Sequence, residues 1–186
     1  MRRITTAAIA ALAVASLSFG ATRSAARATT PDRAPNALDD PTIVAIFDAA
    51  NTADIETGTL AAERASSKEV RDFGSMLARD HKQVRQLGRD LAKKLAVTPT
   101  PPTDDQGAKD HAAAMTHLRS LSGAAFDQAF LKHEAAFHKA VIDAVTSTLL
   151  PAVQNAELKA LIVQVAPAFQ AHMIAAQNLE KKLAGR

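Results

Sequence analysis

Residues 70–95, "VRDFGSMLARDHKQVRQLGRDLAKKL", carry the clearest helical periodicity in the chain. Apolar or small residues repeat along one face at alternating steps of four and three, interrupted by one histidine: Val70, Gly74, Leu77, His81, Val84, Gly88, Leu91 and Leu95. This spacing is typical of a helix that buries one face in a bundle. His81 stands where the pattern calls for leucine, so the stretch that decides the fold also raises the functional question.

The flanking sequence predicts three more long helices and one short one. Helix 1 is expected over 40–65, with Asp40 as the N-cap and Pro41 in the first helical position. The short link "SSKE" then predicts an antiparallel hairpin with helix 2. Helix 3 is expected over 124–150. Helix 4 is expected from about residue 155 onward, with a bend at Pro167.

The connection between helices 2 and 3, residues 97–123, begins with a proline-rich stretch and then carries a short helix over 108–121. Helix 2 is about 45 Å long at ~1.5 Å per residue, and a connection of this length can travel back along it. We therefore predict an all-α, ferritin-like four-helix bundle in which helices 2 and 3 run parallel. The short helix in this connection is expected to cover the side of the bundle through Leu118 and Leu121.

The N-terminus predicts export. Arg2 and Arg3, an apolar run over 9–15 and a small-residue end are typical of a secretory signal peptide over 1–28. A flexible linker is predicted over 29–39 and the bundle domain over 40–184. The apolar run is too short to span a bilayer, and we expect no spanning segment after it. Without cysteine there is neither a lipoprotein anchor nor a disulfide framework, so the signal peptide predicts a soluble periplasmic or secreted protein.

Charge argues against a nucleic-acid partner. The whole chain has a net charge of +3, but cleavage after Ala28 removes four arginines and leaves 18 basic and 19 acidic residues, a net of −1. The basic surface that binds phosphates is therefore not expected. The chain also has no Trp or Tyr for base stacking.

Each long helix places at least one ionisable residue on its predicted apolar face. Asp127, Glu134 and His138 share one face of helix 3, and His172 occupies a core position of helix 4. In helix 1, Glu56 lies on the same stripe as Ala49, Ala53 and Leu60. The candidate site residues are thus Glu56, His81, Glu134, His138 and His172.

Two interpretations of this set remain open. The five side chains form a hydrogen-bonded polar layer that fixes the register of the helices, because burying them unpaired costs several kcal/mol. Alternatively, they bind one transition-metal ion such as Zn, Fe, Mn or Cu. Gly74 and Gly88 flank His81 by one heptad on each side, which indicates close helix approach or space for a ligand.

Three segments, "ADIETGTLAAERASSKEVRDFGSMLARDH", "LSGAAFDQAFLKHEAAFHKAV" and "APAFQAHMIAAQNL", resemble the bacterial domain-of-unknown-function family DUF4142. The resemblance implies a ferritin-like bundle behind a signal peptide and implies no known reaction. The family pattern falls on seven residues: Glu56, Asp80, His81, Phe126, Asp127, His138 and His172.

A di-iron centre is not predicted. Di-iron bundles place a Glu three residues before a His on two helices, but here Ala78, Ala135 and Phe169 precede the three core histidines at that spacing. No catalytic residue is predicted. The sequence favours a non-catalytic binding or stress-related envelope protein whose partner is an envelope protein or a small ligand. The alternative is a metal-binding or metal-dependent redox protein.

Overall fold

The computed structural model describes residues 38–185, and no residue in this range lies in a strand. The elements are α1 (Asp40–Arg64), α2 (Lys68–Lys94), α3 (Gln106–Ser120), α4 (Gly123–Ala144), a π-helical turn (Val145–Leu149), α5 (Leu150–Ala152) and α6 (Ala156–Ala184). The all-helical prediction is therefore confirmed. The predicted signal peptide, 1–28, and all but the last two residues of the predicted linker, 29–39, lie outside the described residues.

The N-cap prediction for α1 is wrong by one residue. Asp39 is the cap, and its carboxylate accepts a hydrogen bond from the Thr42 amide at 3.0 Å. The Asp40 carboxylate is thereby free to reach another helix, where it accepts hydrogen bonds from the amides of Gln154 and Asn155, both at 2.9 Å. One aspartate thus ties the start of α1 to the start of α6.

A second aspartate makes the same kind of link at the opposite end of the bundle. Asp127, the fifth residue of α4, accepts hydrogen bonds from the amides of Ser66 at 2.8 Å and Ser67 at 2.7 Å. These amides precede α2 and have no partner within that helix, so the carboxylate satisfies them. The starts of α2 and α4 therefore lie side by side.

Ion pairs give the direction of α6 relative to α2. Lys94, at the end of α2, pairs with Glu157 at the start of α6, and Lys182, near the end of α6, pairs with Glu69 at the start of α2. These two helices are antiparallel, whereas α2 and α4 start at the same end. The segment 95–122, which contains α3, travels back along the bundle, and Leu118 of α3 is buried.

The core has apolar ends and a polar centre. Near the start of α2, the apolar cluster contains Phe73, Leu77, Phe126 and Phe130, and Phe126 and Phe130 stack with their ring centroids 6.2 Å apart. Another cluster, around Ile43 and the π-helical turn, fills the opposite end. The ionisable residues lie between these two apolar regions.

Glycine allows α1 and α2 to approach closely. A Cβ atom on Gly74 would lie 2.6 Å from the carbonyl oxygen of Gly58, and one on Gly58 would lie 2.7 Å from that of Gly74. At Gly88, a Cβ atom would lie 2.7 Å from the ring of Phe47. The sequence indicates either close helix approach or space for a ligand at Gly74 and Gly88, and these contacts show close approach at both glycines.

Prolines modify the last two helical segments. Pro151 cannot donate a hydrogen bond, and its ring crowds the carbonyl of Ser147, four residues earlier. That carbonyl belongs to the π-helical turn, so the wider turn occurs where the proline disfavours α-helical spacing. In α6, the helix continues through Pro167, and the carbonyl left without its helical donor belongs to Val163, an exposed residue.

The expectation that no later segment is long and apolar enough to span a membrane is wrong on composition. By length and hydropathy alone α6 qualifies, because an 18-residue stretch within it has a mean hydropathy of 1.3. The same helix buries Leu158, Ile162, Phe169 and a polar residue, His172, in the bundle. The composition of α6 is therefore compatible both with packing in this bundle and with spanning a membrane.

Gly74→Ala should lower the free energy of unfolding by about 1–3 kcal/mol, because the added methyl group meets backbone atoms that cannot rotate away. Gly107→Ala is the matched control, since its Cβ atom would meet only a flexible carboxylate at 3.3 Å. Urea unfolding of both variants measures the difference. Equal stability of Gly74→Ala and the parent would contradict the close approach of α1 and α2.

Candidate metal centre

Three histidines from three helices meet at the centre of the bundle. His81 of α2, His138 of α4 and His172 of α6 are buried, with exposed fractions of 1%, 0% and 6%. Their ring centroids are 5.1 to 5.5 Å apart. One ring nitrogen from each lies within 4.8 Å of one from each of the others. The structure thus brings together the three histidines that the sequence places on apolar faces.

Two buried carboxyl groups lie beside the histidines. Oδ2 of Asp54, on α1, is 3.4 Å from Nδ1 of His81, and Oε2 of Glu134, on α4, is 3.6 Å from Nδ1 of His138. All four carboxyl oxygens are buried and have no hydrogen-bond partner among residues 38–185. Asp54, Glu134 and His138 form a second group with ligand atoms within 4.8 Å of one another.

Glu56 does not belong to this centre, so its predicted role is wrong. Its side chain is 51% exposed and accepts a hydrogen bond from His111 of α3 at 2.8 Å. His111, which the crossover position would leave in solvent, is only 19% exposed. Glu56 therefore helps to hold the crossover helix rather than the central histidines.

The error at Glu56 has a physical cause in the composition of α1. Apolar and small residues occur on most sides of this helix, so two stripes fit the same helical spacing. The stripe that faces α2 and the centre runs through Val44, Phe47, Asn51, Asp54, Gly58, Ala61 and Ala65. Sequence reasoning missed Asn51 and Asp54. Gly58, which shares their stripe and packs on Gly74, is the signal that identifies this face.

Asn51 determines which ring nitrogen of His81 carries the hydrogen. Its side-chain Nδ2 donates to the carbonyl of Phe47 at 2.8 Å, so its Oδ1 must face the histidine. Nδ1 of His81 lies 2.9 Å from this oxygen and is therefore the nitrogen that carries hydrogen. Nε2 of His81 is left with a lone pair, pointing toward His172.

His138 is oriented in the same way by its own helix. Its Nδ1 lies 2.9 Å from the backbone carbonyl of Glu134, one turn earlier, and donates to it. Nε2 of His138 is therefore the basic nitrogen. It is buried and has no hydrogen-bond partner within 38–185. Asp54 lies 3.8 Å from this nitrogen.

His172 has a neighbour on each side. Its Nε2 lies 3.4 Å from a carboxylate oxygen of Asp80, and its Nδ1 lies 3.2 Å from Nε2 of His81. A neutral imidazole has one hydrogen. If Nε2 donates to Asp80, two lone pairs face each other; if Nδ1 donates to His81, a lone pair faces a carboxylate. Protonation of both His172 nitrogens would remove this conflict but is opposed by burial, which lowers the pKa of His172; a cation between His81 and His172 would also remove it.

Burial shifts the pKa of every group in the centre toward its neutral form. It lowers the pKa of His81 to about 3, with the neighbouring His138 and His172 adding to the effect, and lowers that of His138 to about 4. Burial also lowers the pKa of His172, although Asp80 opposes it. Burial and Glu134 keep the pKa of Asp54 well above its usual range. Neutral imidazoles are the form that binds metal.

Other residues of the family pattern have structural roles. Phe126 is part of the apolar core, and Asp127 binds the amides before α2. Asp80 contacts His172, as a supporting carboxylate would. His133 is half-buried outside the central set, where burial and His111 lower its pKa to about 4.

Comparison with known proteins identifies a family but no characterised relative. The family model described as "Domain of unknown function (DUF4142)" matches residues 24–179, which is most of the chain. No curated protein and no solved structure matches the sequence.

In metal-free protein, His81→Leu should lessen the loss of stability at acid pH. Below pH 6.5 the unfolded chain takes up a proton on His81 that the folded protein, with a pKa near 3, does not bind. The stability from this histidine is therefore complete above pH 6.5 and is lost as the pH falls. Between pH 7 and pH 5, the parent should lose about 2 kcal/mol more than the variant.

Urea unfolding in EDTA at the two pH values measures this loss. Glu134 and Asp54, with raised pKa values, contribute with the opposite sign in both proteins, so the comparison isolates the histidine. His117→Leu, at an exposed position, is the control and should lose as much as the parent. Equal losses in the parent and His81→Leu would show that burial does not suppress protonation of His81.

Proposed function

The chain belongs to the DUF4142 family, and since that family is defined by a domain of unknown function, we propose a function from the site itself: binding of one transition-metal ion by His81, His138 and His172. The observation that carries the proposal is the convergence of three imidazole nitrogens. His81 and His138 each offer one lone-pair nitrogen, because a hydrogen bond holds the ring hydrogen on the other nitrogen.

The spacing of the nitrogens suits a metal ion. Nitrogen ligands at ~2.0–2.1 Å in a tetrahedral site are about 3.3 Å apart. Nε2 of His81 and Nδ1 of His172 are 3.2 Å apart, which matches this value. One nitrogen of His138 lies within 4.8 Å of a nitrogen of each of the other two rings, so the rings would have to draw together to complete the set.

The surroundings supply what metal-binding histidines need. Such histidines typically donate their other N–H to a carbonyl or carboxylate, which orients the ring and raises its basicity. Asn51, the Glu134 carbonyl and Asp80 stand in these positions for the three rings. The carboxyl groups of Asp54 and Glu134, which burial keeps toward the neutral form, lie close enough that a divalent cation would favour their ionised form, and they would then offset its charge.

The donor set narrows the choice of ion and of chemistry. Three imidazoles suit Zn, Cu, Fe or Ni, and three protein ligands leave a coordination position for a small molecule. The Glu-x-x-His pairs of di-iron bundles are missing from the three core histidines in the sequence, so a single ion is proposed. A bound ion would supply Lewis-acid or one-electron chemistry, while the chain's own residues hold the imidazoles neutral and exclude water.

We also propose that the architecture is ferritin-like and that the protein works outside the cytoplasm. The common ends of α2 and α4, the antiparallel α6 and the crossover through α3 support the first proposal. The N-terminal charge and apolar run support the second. A binding or stress-related role in the envelope is consistent with both.

Metal-free mature protein should bind one Zn²⁺ or Co²⁺ per chain, measured by isothermal titration and by the visible spectrum of the Co²⁺ form. His138→Gln should weaken binding at least tenfold, because it removes one ligand. His133→Gln, on the same helix and outside the centre, is the matched control and should bind like the parent.

Elemental analysis of protein from metal-replete growth complements the titration. If metal-free protein bound none of Mn, Fe, Co, Ni, Cu or Zn stoichiometrically, the metal proposal would fail. The histidines and carboxyl groups would then be a structural polar layer, and His81→Leu would alter stability only.

Export predicts that the mature protein begins near Arg27 or Thr29, because the apolar run is followed by Ala-x-Ala-type cleavage sites. Intact-mass measurement on protein from the native envelope fraction gives the N-terminus directly. A chain that retains Met1 would contradict the proposed signal cleavage.

A further inference from the structure

A small apolar cavity lies directly beside the histidine centre. It has a volume of about 60 Å³ and is enclosed mainly by Phe47, Val145, Leu149, Ile162, Val165 and Phe169. One water molecule needs ~10–15 Å³ of such space, so the cavity has room for a molecule of more than one heavy atom. Its position next to the buried histidines makes it a candidate binding site for a small molecule.

The inner end of the cavity shares two residues with the histidine centre. Asn51 is the hydrogen-bond partner of His81, and the ring of Phe169 lies 5.4 Å from that of His81 and 6.1 Å from that of His138. Both residues also line the cavity. A molecule in the cavity is therefore separated from the imidazoles by one layer of side chains.

The outer end reaches toward the surface. Ala144, an exposed residue, and Ala50, a half-buried one, line the cavity on α4 and α1. Because both side chains are small, a larger residue at either position would narrow this end of the cavity. The π-helical turn forms one wall through Val145 and Leu149, so the widened turn and the cavity occupy the same part of the bundle.

The lining excludes polar occupants. Asn51 is its one polar residue, and its amide is already bonded to the carbonyl of Phe47 and to His81. A water molecule needs two to four polar partners, which this cavity does not offer. Apolar cavities of this kind remain dry and take up xenon or small apolar molecules.

We propose that this cavity binds a neutral diatomic gas, dioxygen being the representative of the class, and holds it against the Phe169–Asn51 side of the histidine centre. Its apolar lining and the exposed residue at its outer end support this ligand class, and its volume is sufficient for a diatomic molecule. A role in presenting the gas to a metal rests on the proposed metal site. Binding in the cavity does not.

The test uses the metal-free mature protein under xenon pressure, followed by methyl NMR. Saturable shifts are expected for the methyl groups of Val145, Leu149, Ile162 and Val165. Dissolved dioxygen, which is paramagnetic, should enhance relaxation of the same methyl groups more strongly than that of other buried ones. Shifts spread evenly over all buried methyl groups, or none at all, would overturn the proposal.

Ala50→Leu should abolish the saturable xenon shifts by filling the cavity. Ala49→Leu adds the same atoms at the neighbouring exposed position and should leave the shifts unchanged. Saturable shifts that persist in Ala50→Leu would also overturn the proposal. If this variant does not fold, the pattern of shifts in the parent decides.

The two proposals fail separately. Xenon binding without stoichiometric metal binding would leave the cavity as a gas site and remove the metal. Metal binding without xenon or dioxygen effects would leave the metal site and remove the gas site.

Discussion

The central constraint on this protein is the burial of five ionisable side chains in the middle of an apolar bundle. Removing a carboxyl or imidazole group from water costs several kcal/mol unless a partner replaces the water. His81, His138 and His172 meet part of this cost through Asn51, the Glu134 carbonyl and Asp80. Their remaining lone pairs converge, so the groups that stabilise the imidazoles also create the donor set. Structure and proposed function depend on the same hydrogen bonds.

Holding these groups at the same level along the bundle axis requires that the helices be fixed relative to one another. Contacts at the two ends of the bundle fix them. Asp40 and Asp127 each cross from the start of one helix to the amides that precede another. Amides at helix starts are unsatisfied and carry partial positive charge, so a carboxylate is the favoured partner there. Gly58 and Gly74 set the distance between α1 and α2. Together these contacts limit how far the central side chains can shift.

The sequence predicts the helices well because most of them have one apolar face. The face of α2 identifies His81, and the same reasoning identifies Glu134, His138 and His172, all of which the structure buries together. It fails at α1, where apolar and small residues surround the helix and spacing cannot select between the stripes of Glu56 and Asp54. Asn51 was also missed, because a polar residue that fixes a histidine tautomer is recognised only when the two side chains are seen together. The cavity beside Phe169 could not be predicted either, since a void depends on how side chains from α1, α4 and α6 fit.

The histidine centre is divided between two helical hairpins. The first, α1 and α2, supplies His81 with Asn51 and Asp54, and the second, α4 and α6, supplies His138, His172 and Glu134. Neither hairpin holds the complete set of nitrogens. An ion held by all three imidazoles would therefore act as a reversible cross-link between distant parts of the chain. Because the complete set of ligands exists only when the two hairpins are docked, the ion would favour the docked state through mass action and slow the separation of the hairpins.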